Sequence, residues 1–283
     1  MKNKFYTWVQ YILPHRLLSR IINWLMRVRW KPLKNFIITR ISKSYNVNMQ
    51  EAASSDLNDY IHFNAFFTRK LKAGVRPIDL DKNSIISPVD GAISQCGKIQ
   101  QGRIFQAKGF DFSVKELLAC DNKTQEYYQN GQFATIYLSP KDYHRMHAPI
   151  DCEVTKTVHI PGRLFSVAKW TAQSIPRLFA RNERLVCYLD TQFGQIAYVL
   201  VGAIMVSSME TVFNGLVTPP YARKVHEVEL NANTKLAKGD EVGRFNMGST
   251  VILLFPPDVI ELNPNLSADK VIKLGEKIAT ILQ

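Results

Sequence analysis

Three things are scarce in this chain, and each scarcity narrows the chemistry it can support. Only four of the 283 residues are cysteine, at positions 96, 120, 152 and 187, with no C-x-x-C pair and no zinc spacing. That argues against a disulfide framework or a structural metal and suits a reducing compartment. Apolar runs are short: Arg16, Arg20, Arg27 and Arg29 break the longest candidate well before the roughly 18 to 20 residues a spanning helix requires. Gln10 and Pro14 interrupt the same region and no small-residue cleavage site follows, so a signal peptide is not expected either. Finally, the first 50 residues contain no Asp or Glu. They hold ten of the 36 basic residues, a net of +10, whereas the other 26 face all 24 acidic residues, a net of +2.

The basicity therefore belongs to one N-terminal module with an anionic partner. Nucleic acid and anionic lipid both fit such a charge, and the apolar residues decide between them. Over residues 16–30, helical spacing gathers Leu17, Leu18, Ile21, Trp24, Leu25 and Val28 on one face, with Arg16, Arg20 and Arg27 opposite. Trp8, Tyr11, Trp24 and Trp30 add aromatics suited to a headgroup boundary. The expectation is a peripheral protein with helices lying in the membrane interface, and no nucleic-acid partner. The competing reading is a core helix with a solvated basic face.

Further along, Asp56 as N-cap and the stripe Tyr60, Phe63, Phe67 and Leu71 predict one helix over 56–73, ended by Gly74 and Pro77. From residue 84 the pattern changes to short β-rich runs, among them QFATIYL, CEVTKTVHI, RLVCYLD, QIAYVLVGAIMV and STVILLF, separated by Gly, Pro, Asn and Asp. The fold class predicted is α+β: a mostly antiparallel β core of packed sheets with N-terminal amphipathic helices. The boundary falls between a helical membrane-association region, 1–75, and a β-rich domain, 76–283.

Three motifs in the β region carry groups capable of chemistry. In NMGSTVILLF, Gly248 lacks a Cβ and lets the Ser249 hydroxyl approach the preceding carbonyl, although Gly-Ser-Thr before a strand is also an ordinary turn. In SPVDGAIS, Asp90-Gly91 reads as a hairpin turn. In LSPKDYHRMHAPI, a helical turn or irregular loop brings His144 and His147 to one site, whereas a regular strand separates them. A metal would need a third ligand, and none is suggested nearby. Structural histidines are an alternative. His147, Asp90 and Ser249 together supply the base, orienting acid and nucleophile of a triad.

These motifs, in their order, resemble bacterial phosphatidylserine decarboxylase, the membrane-associated, pyruvoyl-dependent prokaryotic type I family. The resemblance runs from YILP near residue 11 through FNAFFTRKLKAGVRPID, SPVDGAISQCGKI, YLSPKDYHRMHAPI, IPGRLFSV and VGAIMVSSMETV to KGDEVGRFNMGSTVILLF, nearly the whole chain. It implies a self-processing triad of Asp90, His147 and Ser249, cleavage between Gly248 and Ser249, and a role for His144 in decarboxylation. Two positions depart from the family: Met247, where leucine is common, and Ser207, where glycine is common.

The resemblance implies two stages. His147, oriented by Asp90, deprotonates Ser249; its oxygen attacks the Gly248 carbonyl, the resulting ester eliminates, and the dehydroalanine left at 249 tautomerises and loses ammonia to water, giving a pyruvoyl group. The large chain, 1–248, and the small chain, 249–283, stay together, and the pair forms a homodimer. Phosphatidylserine then forms a Schiff base with the pyruvoyl ketone, loses CO2 and leaves as phosphatidylethanolamine, with His144 placing or protonating the carbanion. The covalent pyruvoyl group derived from Ser249 is the only cofactor implied. Membrane phosphatidylserine is the partner, at the cytoplasmic side of the inner membrane. The alternative is a membrane-surface serine hydrolase using Asp90, His147 and Ser249 without self-cleavage; a non-enzymatic lipid-surface protein would leave the two motifs without a role.

Overall fold

A strand buried from Thr250 to Phe255, near the middle of one large sheet, organises the molecule. The computed structural model describes residues 2–204, 208–218, 221, 223–230, 234–246 and 249–282, with side chains from residue 7 onward, Ser249 excepted. Val251 through Phe255 are 0% exposed, as continuous apolar sequence predicts for a strand covered on both faces. The Ser249–Phe255 strand pairs antiparallel with Gln132–Leu138 on one side and Gly194–Val201 on the other. Beyond these the nine-stranded sheet continues through Arg184–Thr191, Cys152–Ile160 and His226–Glu229 in one direction, and through Gly91–Lys98 and Val271–Ile272 in the other. A second sheet sets Arg145–His147 beside Glu241–Phe245, which pairs with Met209–Thr211. The α+β architecture with an antiparallel core is as the β-rich runs predicted.

Asp90-Gly91 is not a hairpin turn. The strand before it, Ser84–Ile86, pairs with Lys277–Ile281 in a separate sheet, and Gly91 opens a strand of the large one. The dipeptide is a crossover between sheets, and the glycine is needed for close approach: a Cβ there would lie 2.5 Å from the Tyr137 carbonyl oxygen.

The predicted 56–73 helix is also corrected. Asp56 does act as an N-cap, accepting from Asn58 N, but it caps only a 3-10 turn, Leu57–Asp59. His62 then starts a separate five-residue helix, Phe63–Phe67, by accepting from Ala65 N. Beyond it the backbone leaves helical geometry to pair elsewhere: Ala53 N donates to Lys70 O and Lys72 N to Glu51 O. Tertiary pairing outweighs the propensity of a segment whose helical bonds are few. The aromatic stripe still works as a core, because Tyr60, Phe63, Phe66 and Phe67 pack with Ile38 into a second apolar cluster.

The N-terminal helices are α1, Lys2–Ile12, α2, His15–Leu25, and α3, Lys31–Tyr45. α2 is amphipathic in the reverse sense to a core helix. Its buried edge is polar, His15 and Ser19, while Leu17, Ile21 and Trp24 are 57%, 51% and 71% exposed. Trp8, Trp30 and Phe36 are likewise exposed. No helix among the described residues is long and apolar enough to cross a membrane.

The two arrangements of the 56–73 segment differ in what they ask of Leu71, which lies outside the aromatic cluster and is only half-buried. Phe63→Ala is expected to cost about 3–5 kcal/mol and Leu71→Ala under about 2 kcal/mol. Urea unfolding of both variants checks this, and equal losses would restore the single helix.

Candidate active site

The segment LSPKDYHRMHAPI leaves the large sheet at Leu138 and enters the second sheet at Arg145, so it bridges the two. His144 precedes the short strand Arg145–His147 and His147 closes it. Extended backbone thus gives the imidazoles different neighbours, and they do not form a pair at one point.

His144 is fully buried. Its ring stacks on Phe67 at 4.0 Å with an interplanar angle of 19°. Nε2–H donates to the Ser139 carbonyl at 3.0 Å, which leaves Nδ1 as a buried acceptor without a partner among the described residues. Burial, reinforced by nearby Arg69, lowers its pKa to about 3. Near neutral pH the ring is an uncharged acceptor.

His147 is tied to the turn before the Glu241–Phe245 strand: Nδ1–H donates to the Gly239 carbonyl at 2.7 Å. That contact fixes the tautomer and puts the basic lone pair on Nε2, where Tyr143 O–H donates at 3.2 Å. Burial lowers the His147 pKa, against a smaller upward pull from the Gly239 bond and from Glu241 and Asp90. Burial also pushes the Tyr143 phenol up to about 12, so it remains a donor. Arg145, between the histidines, donates to Thr68 O and Glu241 Oε2 at 2.9 and 2.7 Å and locks the strand to both neighbours.

Asp90 lies within electrostatic reach of His147 but does not hydrogen-bond it. Its carboxylate accepts from Arg76 Nε at 2.9 and 3.1 Å, from Arg76 Nη2 at 2.6 Å and from Leu274 N at 2.9 Å. Arg76 Nη2 also donates to Glu51 at 2.6 Å. The orienting contact that a triad assigns to Asp90 is made here by the Gly239 carbonyl.

Gly248 and Met247 lie outside the described residues, as does Ser207. The chain is nevertheless held on both sides of that gap. Upstream, Phe245 N donates to His144 O at 3.0 Å. Asn246 N donates to Ser208 O, its Nδ2 to Ser208 Oγ at 2.7 Å, and its Oδ1 accepts from Asn64 Nδ2 at 2.9 Å. Downstream, Ser249 stands in register with Leu138, the residue before Ser139. Ser249 and His144 are therefore linked through two adjacent residues of one strand end. Arg76, Tyr143, Asn64 and Asn246 escaped sequence reasoning, although all four sit inside motifs already singled out; nothing local marks a side chain whose partner is 14 or 182 residues away. No group of three His, Cys, Asp or Glu that could hold a metal occurs among the described residues.

Comparison with known proteins identifies the family. The profile of the family described as phosphatidylserine decarboxylase matches residues 63–280, and a second profile, described as PSD, matches residues 5–46. The chain is 50% identical over 280 residues to the phosphatidylserine decarboxylase proenzyme of Ectopseudomonas mendocina (strain ymp), covering 98% of each chain. It is 49% identical over 288 residues to the proenzyme of that name from Pseudomonas putida (strain F1), covering all of both. A third such proenzyme, from Pseudomonas fluorescens (strain Pf0-1), is 49% identical over 284 residues and 99% of each chain. With more than three quarters of its length under one family profile and half its residues shared with relatives matched over nearly their whole length, the chain belongs to the phosphatidylserine decarboxylase family.

Proposed function

We propose that this chain is the precursor of a pyruvoyl-dependent enzyme that converts phosphatidylserine to phosphatidylethanolamine and CO2. In this reading it cleaves itself between Gly248 and Ser249. The observation that carries the reading is the placement of Ser249 at the head of a buried strand, opposite Leu138 and one residue from the carbonyl that holds His144. Full-length relatives named as proenzymes support a cleaved precursor.

For self-processing, His147 serves as base through Nε2, the nitrogen left unprotonated by the Gly239 contact. The Ser249 hydroxyl takes the place of Tyr143 on that nitrogen and gives up its proton as its oxygen attacks the Gly248 carbonyl. Asp90 and Glu241 act on His147 through charge, favouring the imidazolium that results. Arg76 holds the Asp90 carboxylate in place with its paired donors. Asn246, fixed by Asn64 and Ser208, restrains the carbonyl side of the bond, and the sheet restrains the other.

The site's polar atoms suit a pyruvoyl group at position 249. Ser139 Oγ and Thr250 Oγ1 are buried hydroxyls without partners among the described residues, suited to donate to its two carbonyls. Nδ1 of His144 is an open acceptor for a substrate N–H or O–H. When formed, that group supplies an electron sink for the pair left as CO2 departs. A neutral, buried His144 fits placing the substrate better than delivering a proton.

The small chain 249–283 would remain attached because its strand is bonded on both edges. The region 1–75 would rest on the cytoplasmic face of the inner membrane through the exposed apolar side of α2, with 76–283 as catalytic domain and two cleaved pairs forming a homodimer.

Two outcomes follow. Wild-type protein mixed with phosphatidylserine vesicles is expected to form phosphatidylethanolamine, and Ser249→Ala to form none; turnover by the variant would refute the pyruvoyl assignment. The lowered His147 pKa means that the base stays neutral to a lower pH than a free imidazole. Self-processing of newly translated precursor should thus be flat with pH above about 6.5 and fall only below it. A midpoint near pH 8 in pulse–chase at fixed pH would remove His147 from the role.

A further inference from the structure

A cavity of about 580 Å3 lies away from the His147 cluster, between the start of α2 and the loop after the Cys152–Ile160 strand. Leu13 to Leu17 and Arg20 form one wall, Gly162 to Leu164 the other. α2 enters it uncapped: Pro14 offers no side-chain cap, and the first turn holds no acidic residue. Its first amide, His15 N, donates to the Leu13 carbonyl at 2.9 Å, which leaves the amides of Arg16 and Leu17 to present the partial positive charge of the helix start.

Three arginines add full charges. Arg16 Nη2 reaches Gly162 O at 3.4 Å, and Arg163 Nη2 donates to Tyr11 O at 2.7 Å. Arg16 and Arg20 each lie 5.6 Å from the centre of the Tyr221 ring. None of the three meets a carboxylate within ion-pair distance among the described residues, and Glu183, behind Gly162, is paired with His159. His15 also lines the cavity. It is 4% exposed, set edge-on to Phe165 at 5.4 Å, and its Nε2 has no hydrogen-bond partner among the described residues. A buried nitrogen without a partner beside uncompensated cations is costly unless a ligand completes the set.

We infer that this cavity is a binding site for the phosphodiester anion of a glycerophospholipid, held by Arg16, Arg163 and the first-turn amides of α2. Arginine forks and a helix N-terminus are the groups that recognise phosphate oxygens. Lipid is favoured over free phosphate by position: Leu17, Ile21 and Trp24 project from the same helix into solvent, which sets the mouth at headgroup depth when that face meets a bilayer. The opposite wall leads toward the reacting strand. Leu164 Cδ2 lies 3.4 Å from the Cβ position of Gly202, and Gly202 follows Val201, the register partner of Thr250. A lipid held there stands on the side of the sheet where the Ser249 strand begins. The site does not depend on decarboxylation, so binding alone tests it.

The test is histidine NMR on the wild-type protein, with the His15 signal assigned from His15→Asn. Soluble short-chain phosphatidylglycerol, below its micelle concentration, is expected to shift the His15 signal to saturation and leave exposed His226 unmoved. Arg163→Gln and exposed Arg16→Gln should each weaken the apparent affinity about tenfold or more. Inorganic phosphate producing the same saturated shift would support the anion site and identify free phosphate as a sufficient ligand; a shift with the lipid alone would support the site as lipid-selective. No His15 shift with either probe, or unchanged affinity in both arginine variants with native spectra, would overturn the proposal.

Discussion

The pairing of the Ser249–Phe255 strand on both of its edges is the constraint on which the rest depends. With Ser249 in register with Leu138 and Thr250 with Val201, Ser249 is held where a strand begins. The apolar run Val251 to Phe255 makes that position costly to abandon, because every one of its side chains is removed from water. The same burial explains how a chain cut before Ser249 would keep its small piece. The strand's hydrogen bonds and packing run across the sheet and do not require the peptide bond.

Around this fixed point, polar side chains are arranged by long-range contacts. The bridge from Ser139 to His147 carries two histidines into different settings: one dry and neutral against Phe67, the other gripped by Gly239 and capped by Tyr143. Asp90 belongs to an Arg76–Glu51 network that ties the segment after the aromatic cluster to the sheet crossover. Its influence on His147 is electrostatic, which differs from a hydrogen-bonded triad while keeping the same three residues in play.

Much of this was legible in the sequence where a local pattern decides the outcome. Alternating and continuous apolar runs marked QFATIYL, CEVTKTVHI, RLVCYLD and STVILLF as strands, and their ends agree closely with those observed. The asymmetric charge and aromatics of the first 50 residues foretold helices, and the outward apolar face of α2 is what a surface-seated helix requires. Failures arose where distant partners decide. Residues 56–73 have helical spacing, yet Lys70 to Lys72 pair with Glu51 to Ala53. Asp90-Gly91 has hairpin chemistry, yet its flanking strands belong to different sheets. The relation of Asp90 to Arg76, or of Asn64 to Asn246, has no local signature at all.

The central claim is that residue 249 is made into a new chain terminus by its own protein. Intact mass under denaturing conditions tests it most directly. The account predicts two species from the wild type, ending at Gly248 and beginning at position 249, with the smaller one blocked to N-terminal sequencing. A single full-length mass from folded protein that turns over phosphatidylserine would contradict it.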